Sequence, residues 1–70
     1  MKRTPVANSS NIASVGYDQA TQTMEVEFTN GNIYQYFDVP EIVYQELMRA
    51  ESAGKFLNAQ IKGVYRFARL

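Results

Sequence analysis

Residues 24–37, Met24-Glu25-Val26-Glu27-Phe28-Thr29-Asn30-Gly31-Asn32-Ile33-Tyr34-Gln35-Tyr36-Phe37, form two alternating half-apolar runs joined at Asn30-Gly31. This is the pattern of a β-hairpin, and the rest of the chain reads as what covers it. Two registers compete. A two-residue Asn-Gly turn sets Phe28 against Ile33 and Glu25 against Tyr36, which turns Tyr34 and Tyr36 outward beside glutamates. A three-residue loop, Thr29-Asn30-Gly31, closed by a glycine bulge sets Val26 against Tyr34 and Met24 against Tyr36. It gathers Met24, Val26, Phe28, Tyr34 and Tyr36 on one face. A one-residue slip would move every side chain to the other face, so the register that collects the apolar set is expected. It places Tyr34 and Tyr36 mainly in the core and requires a positive φ at Gly31, which a residue without a Cβ adopts freely.

On the N-terminal side, residues 18–23, DQATQT, are a polar turn, and residues 10–18, SNIASVGYD, read as a strand. Simple alternation puts Ala13, Val15 and Tyr17 on one side and Ile12, Ser14 and Gly16 on the other. Gly16 inside a strand points to a bulge or to a close approach by a neighbour. Residues 1–9, MKRTPVANS, show no periodicity and are expected as a flexible tail, which leaves residues 10–70 as one domain.

On the C-terminal side, Asp38-Val39-Pro40-Glu41 is a helix start, with Asp38 or Val39 as cap and Pro40 in the first turn. The helix is expected to run to about Ala53 with Val39, Ile42, Val43, Leu47 and Ala50 as its apolar stripe and Tyr44 and Met48 at its margin. Gly54 is read as its left-handed C-terminal cap. Residues 55–63, KFLNAQIKG, read as a short second helix carrying Phe56, Leu57 and Ile61 into the core and ended by Gly63. Residues 64–70, VYRFARL, either add a strand with Tyr65 and Phe67 on one face or wrap across the sheet. The expected class is α+β: a three-stranded antiparallel meander, then one long and one short helix on one face, with or without a short C-terminal strand.

Composition narrows the chemistry. The chain has no histidine and no cysteine, so Ser-His, Cys-His and thiolate or imidazole metal sites are impossible. A small domain without disulfides suits a reducing compartment, and no apolar run approaches the roughly 20 residues of a membrane span, so a cytoplasmic protein is expected. Neither G-x-G-x-x-G nor G-x-x-x-x-G-K-[ST] occurs. Glu25 and Glu27, two apart on one strand, read as the solvated face of a half-buried strand and not as paired catalytic carboxylates or a cation site. The expectation is a protein that is not an enzyme and carries no cofactor and no metal.

Net charge is zero, but its distribution is uneven. All seven acids lie between Asp18 and Glu51, with Arg49 the only base among them; Lys55, Lys62, Arg66 and Arg69 follow with no acid at all. On a helix Lys55, Asn58 and Lys62 share a face, and Tyr65 and Phe67 interleave with the arginines. Such a surface binds phosphates through its cations and stacks unpaired bases on its rings. The plainer reading makes the bases the wet side of an amphipathic segment, with Tyr65 and Phe67 in the core and Asn58 a backbone-bonding amide.

Ser10-Asn11-Ile12, Val15-Gly16-Tyr17, Phe28-x-x-Gly31 leading to Tyr34-x-Tyr36, Val39-Pro40, and Ser52-x-Gly54-x-Phe56 with Asn58, Ile61 and Tyr65 span most of the chain. In this combination the sequence resembles the KTSC domain, a module found alone and at the C-terminus of some lysyl-tRNA synthetases. The resemblance makes Gly16, Tyr17, Gly31, Tyr34, Tyr36, Pro40 and Gly54 the family's structural motif. It assigns no activity, and attachment to a synthetase suggests RNA as ligand. Two functions follow as expectations. One is a binding module for RNA through Lys55, Asn58, Lys62, Tyr65, Arg66 and Arg69. The other is a module for a protein partner at a sheet edge or helix face.

Overall fold

The computed structural model describes residues 1–7 and 9–70. Its strands are β1 (Arg3–Pro5), β2 (Ile12–Asp18), β3 (Thr23–Phe28), β4 (Ile33–Tyr36) and β5 (Phe67–Arg69); helices α1 (Glu41–Arg49) and α2 (Ala53–Gln60) lie between β4 and β5. The sheet is antiparallel throughout, in the order β1-β2-β3-β4-β5.

The hairpin has the bulged register. Met24 faces Tyr36 and Val26 faces Tyr34, and the loop closes with the Phe28 N–H on the Asn32 carbonyl at 2.8 Å and the Gly31 N–H on the Phe28 carbonyl at 3.0 Å. Gly31 has φ 92°. Ile12, Val15, Met24, Val26 and Tyr36 from the sheet meet Val39, Leu47, Ala53, Leu57 and Ile61 in one core, so both helices cover the same face.

Five strands replace the expected three. The C-terminal segment takes the strand alternative, and the supposed tail supplies β1, paired Arg3 to Gly16 and Pro5 to Ser14. Asn8 of that tail lies outside the described residues. Gly16 is what admits β1, because a Cβ there would come within 2.8 Å of the Lys2 carbonyl oxygen. Over this gap the Arg3 guanidinium reaches Glu25 at 2.7 Å, and Glu25 also accepts from Gln35 Nε2 at 3.0 Å. Glu27 accepts from the Ser14 hydroxyl at 2.9 Å. Both glutamates therefore lie on the outer face as expected, each with a partner.

Simple alternation fails in β2. The pairing shifts between Ile12 and Ser14, and this bulge turns Ile12 to the same side as Val15, so that both are buried.

Helix α1 is shorter than expected and rotated. Pro40 is its N-cap residue, whereas Asp38 takes a left-handed φ of 57° and Val39 is buried with its N–H on the Gln22 carbonyl. Tyr17 stacks on Tyr44 at 5.1 Å and donates its hydroxyl to the Val39 carbonyl. These contacts turn the Tyr44 and Met48 side toward the core and leave Ile42 exposed. Burial, then the charges of Glu41 and Asp18, raises the Tyr17 pKa above the ordinary tyrosine value.

Gly54 is not a C-terminal cap. It is a buried residue in the first turn of α2, and a Cβ there would meet Asn11 Oδ1 at 2.7 Å. The chain leaves α1 at Ala50 and restarts at Ser52, whose side chain accepts the Lys55 N–H at 3.3 Å.

Candidate nucleic-acid interface

The helices seal the middle of the inner sheet face but not its β4–β5 end. Tyr36 is 2% exposed and Phe67, its partner on β5, is 58% exposed. Tyr34 sits against both, half-buried, with its ring centroid 5.5 Å from Phe28 in an edge-on contact and 5.7 Å from Phe67. Tyr36 and Phe67 are 6.0 Å apart. The result is a connected set of rings open to solvent along one side. Burial, with a smaller contribution from Tyr34, holds the Tyr36 hydroxyl above the ordinary tyrosine pKa.

Two cations reach this platform. Helix α2 ends with the N–H groups of Ile61 and Lys62 both on the Leu57 carbonyl, at 3.1 and 2.9 Å, and Gly63, at φ 78°, turns the chain away. Lys62 is left at the corner with its ammonium 5.6 Å from the Phe28 ring centroid. Arg69 pairs with Tyr34 across β4 and β5 and donates to Asn32 Oδ1 at 3.1 Å.

Three clefts adjoin here. One of about 300 Å³ lies against Asn11, Phe28, Asn30, Asn32, Tyr34 and Lys62. A second, of about 190 Å³, shares Tyr34 and Lys62 and continues to Tyr36 and Phe67. The third shares Asn11 and runs past Ser52 and Gly54 to Lys55 and Asn58. Among the described residues no carboxylate lines any of the three, on a chain with seven acids.

The sequence-derived site divides accordingly. Lys55, Asn58, Lys62 and Arg69 border this continuous track. Arg66 does not: it pairs with Asp38 at 3.2 Å and lies over the Phe37 ring at 5.4 Å. Strand alternation gives the reason, since Phe67 and Arg69 share the inner face and Arg66 falls in the opposite phase. Tyr65 is half-buried against the core. Phe67 is exposed, as in the stacking alternative, and not in the core; Tyr34 was expected mainly in the core; and Asn11, Phe28, Asn30 and Asn32 join the site as residues the sequence did not mark for it. Phe28 and Tyr34 were assigned the correct face but not its lack of cover, and the asparagines carry the residue type of turns as much as of ligands.

No group of three or more Asp or Glu side chains able to hold a metal occurs among the described residues, and no described helix is long and apolar enough to cross a membrane.

These features define a small single-sheet α+β domain whose sheet is open at one end as an aromatic and basic groove. The sequence profile of the KTSC domain matches residues 8–65. The chain belongs to the KTSC domain family. It is 43% identical over 59 residues to a lysine–tRNA ligase of Nostoc punctiforme, a match covering 84% of this chain and 10% of the ligase. It thus spans about a tenth of the length of that relative. It is 42% identical over 71 residues to an uncharacterised protein of Stutzerimonas stutzeri, covering 100% of this chain and 99% of that protein. The crystal structure of a KTSC domain protein from Yersinia pestis superposes with a TM-score of 0.92 at 40% identity, covering 99% of this chain and 96% of that one.

Proposed function

We propose that the domain is a non-catalytic module that binds single-stranded RNA along the groove from Lys55 past Lys62 to Phe67 and Arg69. Bases stack on Tyr34 and Phe67, while Lys62, Arg69 and Lys55 neutralise backbone phosphates. The observation that carries this reading is the set of solvent-open rings beside Lys62 in clefts free of carboxylates, with Arg69 held next to them on Asn32. Similarity to lysine–tRNA ligases supports it, because those proteins act on an RNA by name. The same similarity, with the absence of cysteine, supports a cytoplasmic setting.

The reading is tested with the double variant Lys62→Glu/Arg69→Glu and a fluorescent single-stranded RNA. Binding is expected to fall at least about tenfold, and the salt slope to flatten by roughly 1.4, for two phosphates lost from a single strand. Unchanged affinity in a variant with native circular dichroism would refute it.

A second reading follows from the apolar exposure of Val64, Phe67 and Leu70 around the edge strand β5: a protein partner adds a strand there. A concentration-dependent dimer in sedimentation, with no response to RNA, would favour it.

A further inference from the structure

The cleft at the hairpin end contains three carboxamides whose orientations are forced. Asn30 Oδ1 accepts the Asn32 backbone N–H at 3.0 Å. Asn32 Oδ1 accepts from the Arg69 guanidinium, a group that has no acceptor. Asn11 Oδ1 accepts the Ser9 hydroxyl at 2.8 Å, and that hydroxyl has to donate because its oxygen already accepts the N–H groups of Asn11 and Ile12. In each case the partner donates to the carboxamide, so the oxygen faces the protein and the amino group is the end left for a ligand. Lys62 adds an ammonium, which also only donates. The Thr29 hydroxyl donates to the Ser10 carbonyl at 3.4 Å, so the side-chain acceptors left in the lining are the Thr29 and Tyr34 hydroxyl oxygens, beside three carboxamide amino groups and the Lys62 ammonium.

A base edge that suits such a lining presents carbonyl acceptors and no exocyclic amine. The major-groove edge makes the distinction: uracil offers O4 there and guanine O6 and N7, with guanine's own amino group on the opposite edge, whereas cytosine and adenine present amino groups there that would meet donors. Resting on the reading of the groove as a single-stranded RNA site, we propose that this cleft selects the oxo bases, uracil and guanine, over the amino bases.

Two matched pairs of hexamers test that choice, since cytidine to uridine and adenosine to inosine each exchange one amino group for a carbonyl on that edge, with the adjoining ring nitrogen gaining a proton. Fluorescence anisotropy is expected to show uridine over cytidine, and inosine over adenosine, by about fivefold or more. Asn11→Asp and Asn32→Asp preserve the acceptor that faces Ser9 or Arg69 but delete the outward amino group. The affinity ratio within each pair is expected to shrink in these variants even as their added charge weakens all binding alike. Equal affinity within both pairs, or a ratio unaffected by either variant, would overturn the selection and leave the groove standing as an RNA site. No binding of any hexamer would remove the RNA reading along with it.

Discussion

Val26 and Tyr34 are cross-strand partners on the same face of one hairpin, yet the first is fully buried and the second borders two clefts. Nothing in the hairpin itself distinguishes them. The difference arises from what lies above: Leu47, Leu57 and Ile61 cap the centre of the sheet, and α2 ends before it reaches the β4–β5 end. Periodicity chooses a face; the lengths and placement of the covering helices decide whether that face becomes core or surface.

Truncation on the two sides should separate them most strongly. Leu57→Ala is expected to cost about 2–5 kcal/mol in urea unfolding, because it opens a cavity in the sealed half. Phe67→Ala should cost about 1 kcal/mol or less, while removing a stacking surface for RNA. Similar losses in the two variants would break the division. From the outer side of the sheet, Gly16→Ala drives a Cβ against the Lys2 carbonyl and is expected to cost about 1–3 kcal/mol. Amide exchange should then speed up at Arg3, Thr4 and Val6 but not in the hairpin.

Binding sharpens the contrast next. Arg69→Glu should weaken RNA affinity about tenfold and Arg66→Glu about twofold at equal change in net charge, since only Arg69 faces the groove. Equal effects would mean that only the overall field matters.

The smallest effect concerns pH. Burial raises the Tyr36 and Tyr17 pKa values in the folded state. Folding therefore favours the protonated phenols, a contribution complete below the unfolded value of about 10 and lost as pH rises through the higher folded values. Stability should be flat up to about pH 9 and decline above 10, with a shallower decline in Tyr36→Phe.

The contrast between Val26 and Tyr34 also marks what was legible in the sequence. The hairpin register was, because only one pairing gathers five apolar side chains on one side. The role of Gly16 was legible in kind, as a close approach, but not the strand that makes it: Arg3–Pro5 has no alternation, and its anchor is an ion pair with Glu25, 22 residues away. Ile12 was assigned the wrong face because a bulge has no signature in the residues around Ala13. Gly54 carried the residue type of a cap and turned out to make room for Asn11. At the site, Lys62 was legible from the acid-free segment. The loss of Arg66 depended on the parity of a three-residue strand, and the gain of Asn11, Asn32 and Tyr34 depended on where the helices stop.

The most direct test of the open groove is a backbone amide NMR titration with a short single-stranded RNA at about 50 and 200 mM salt. Shifts are expected at Phe28, Asn32, Tyr34, Lys62, Phe67 and Arg69 and should diminish at the higher salt. Shifts confined to the outer face around Ser14, Glu27 and Ile33, or none at either salt, would contradict it.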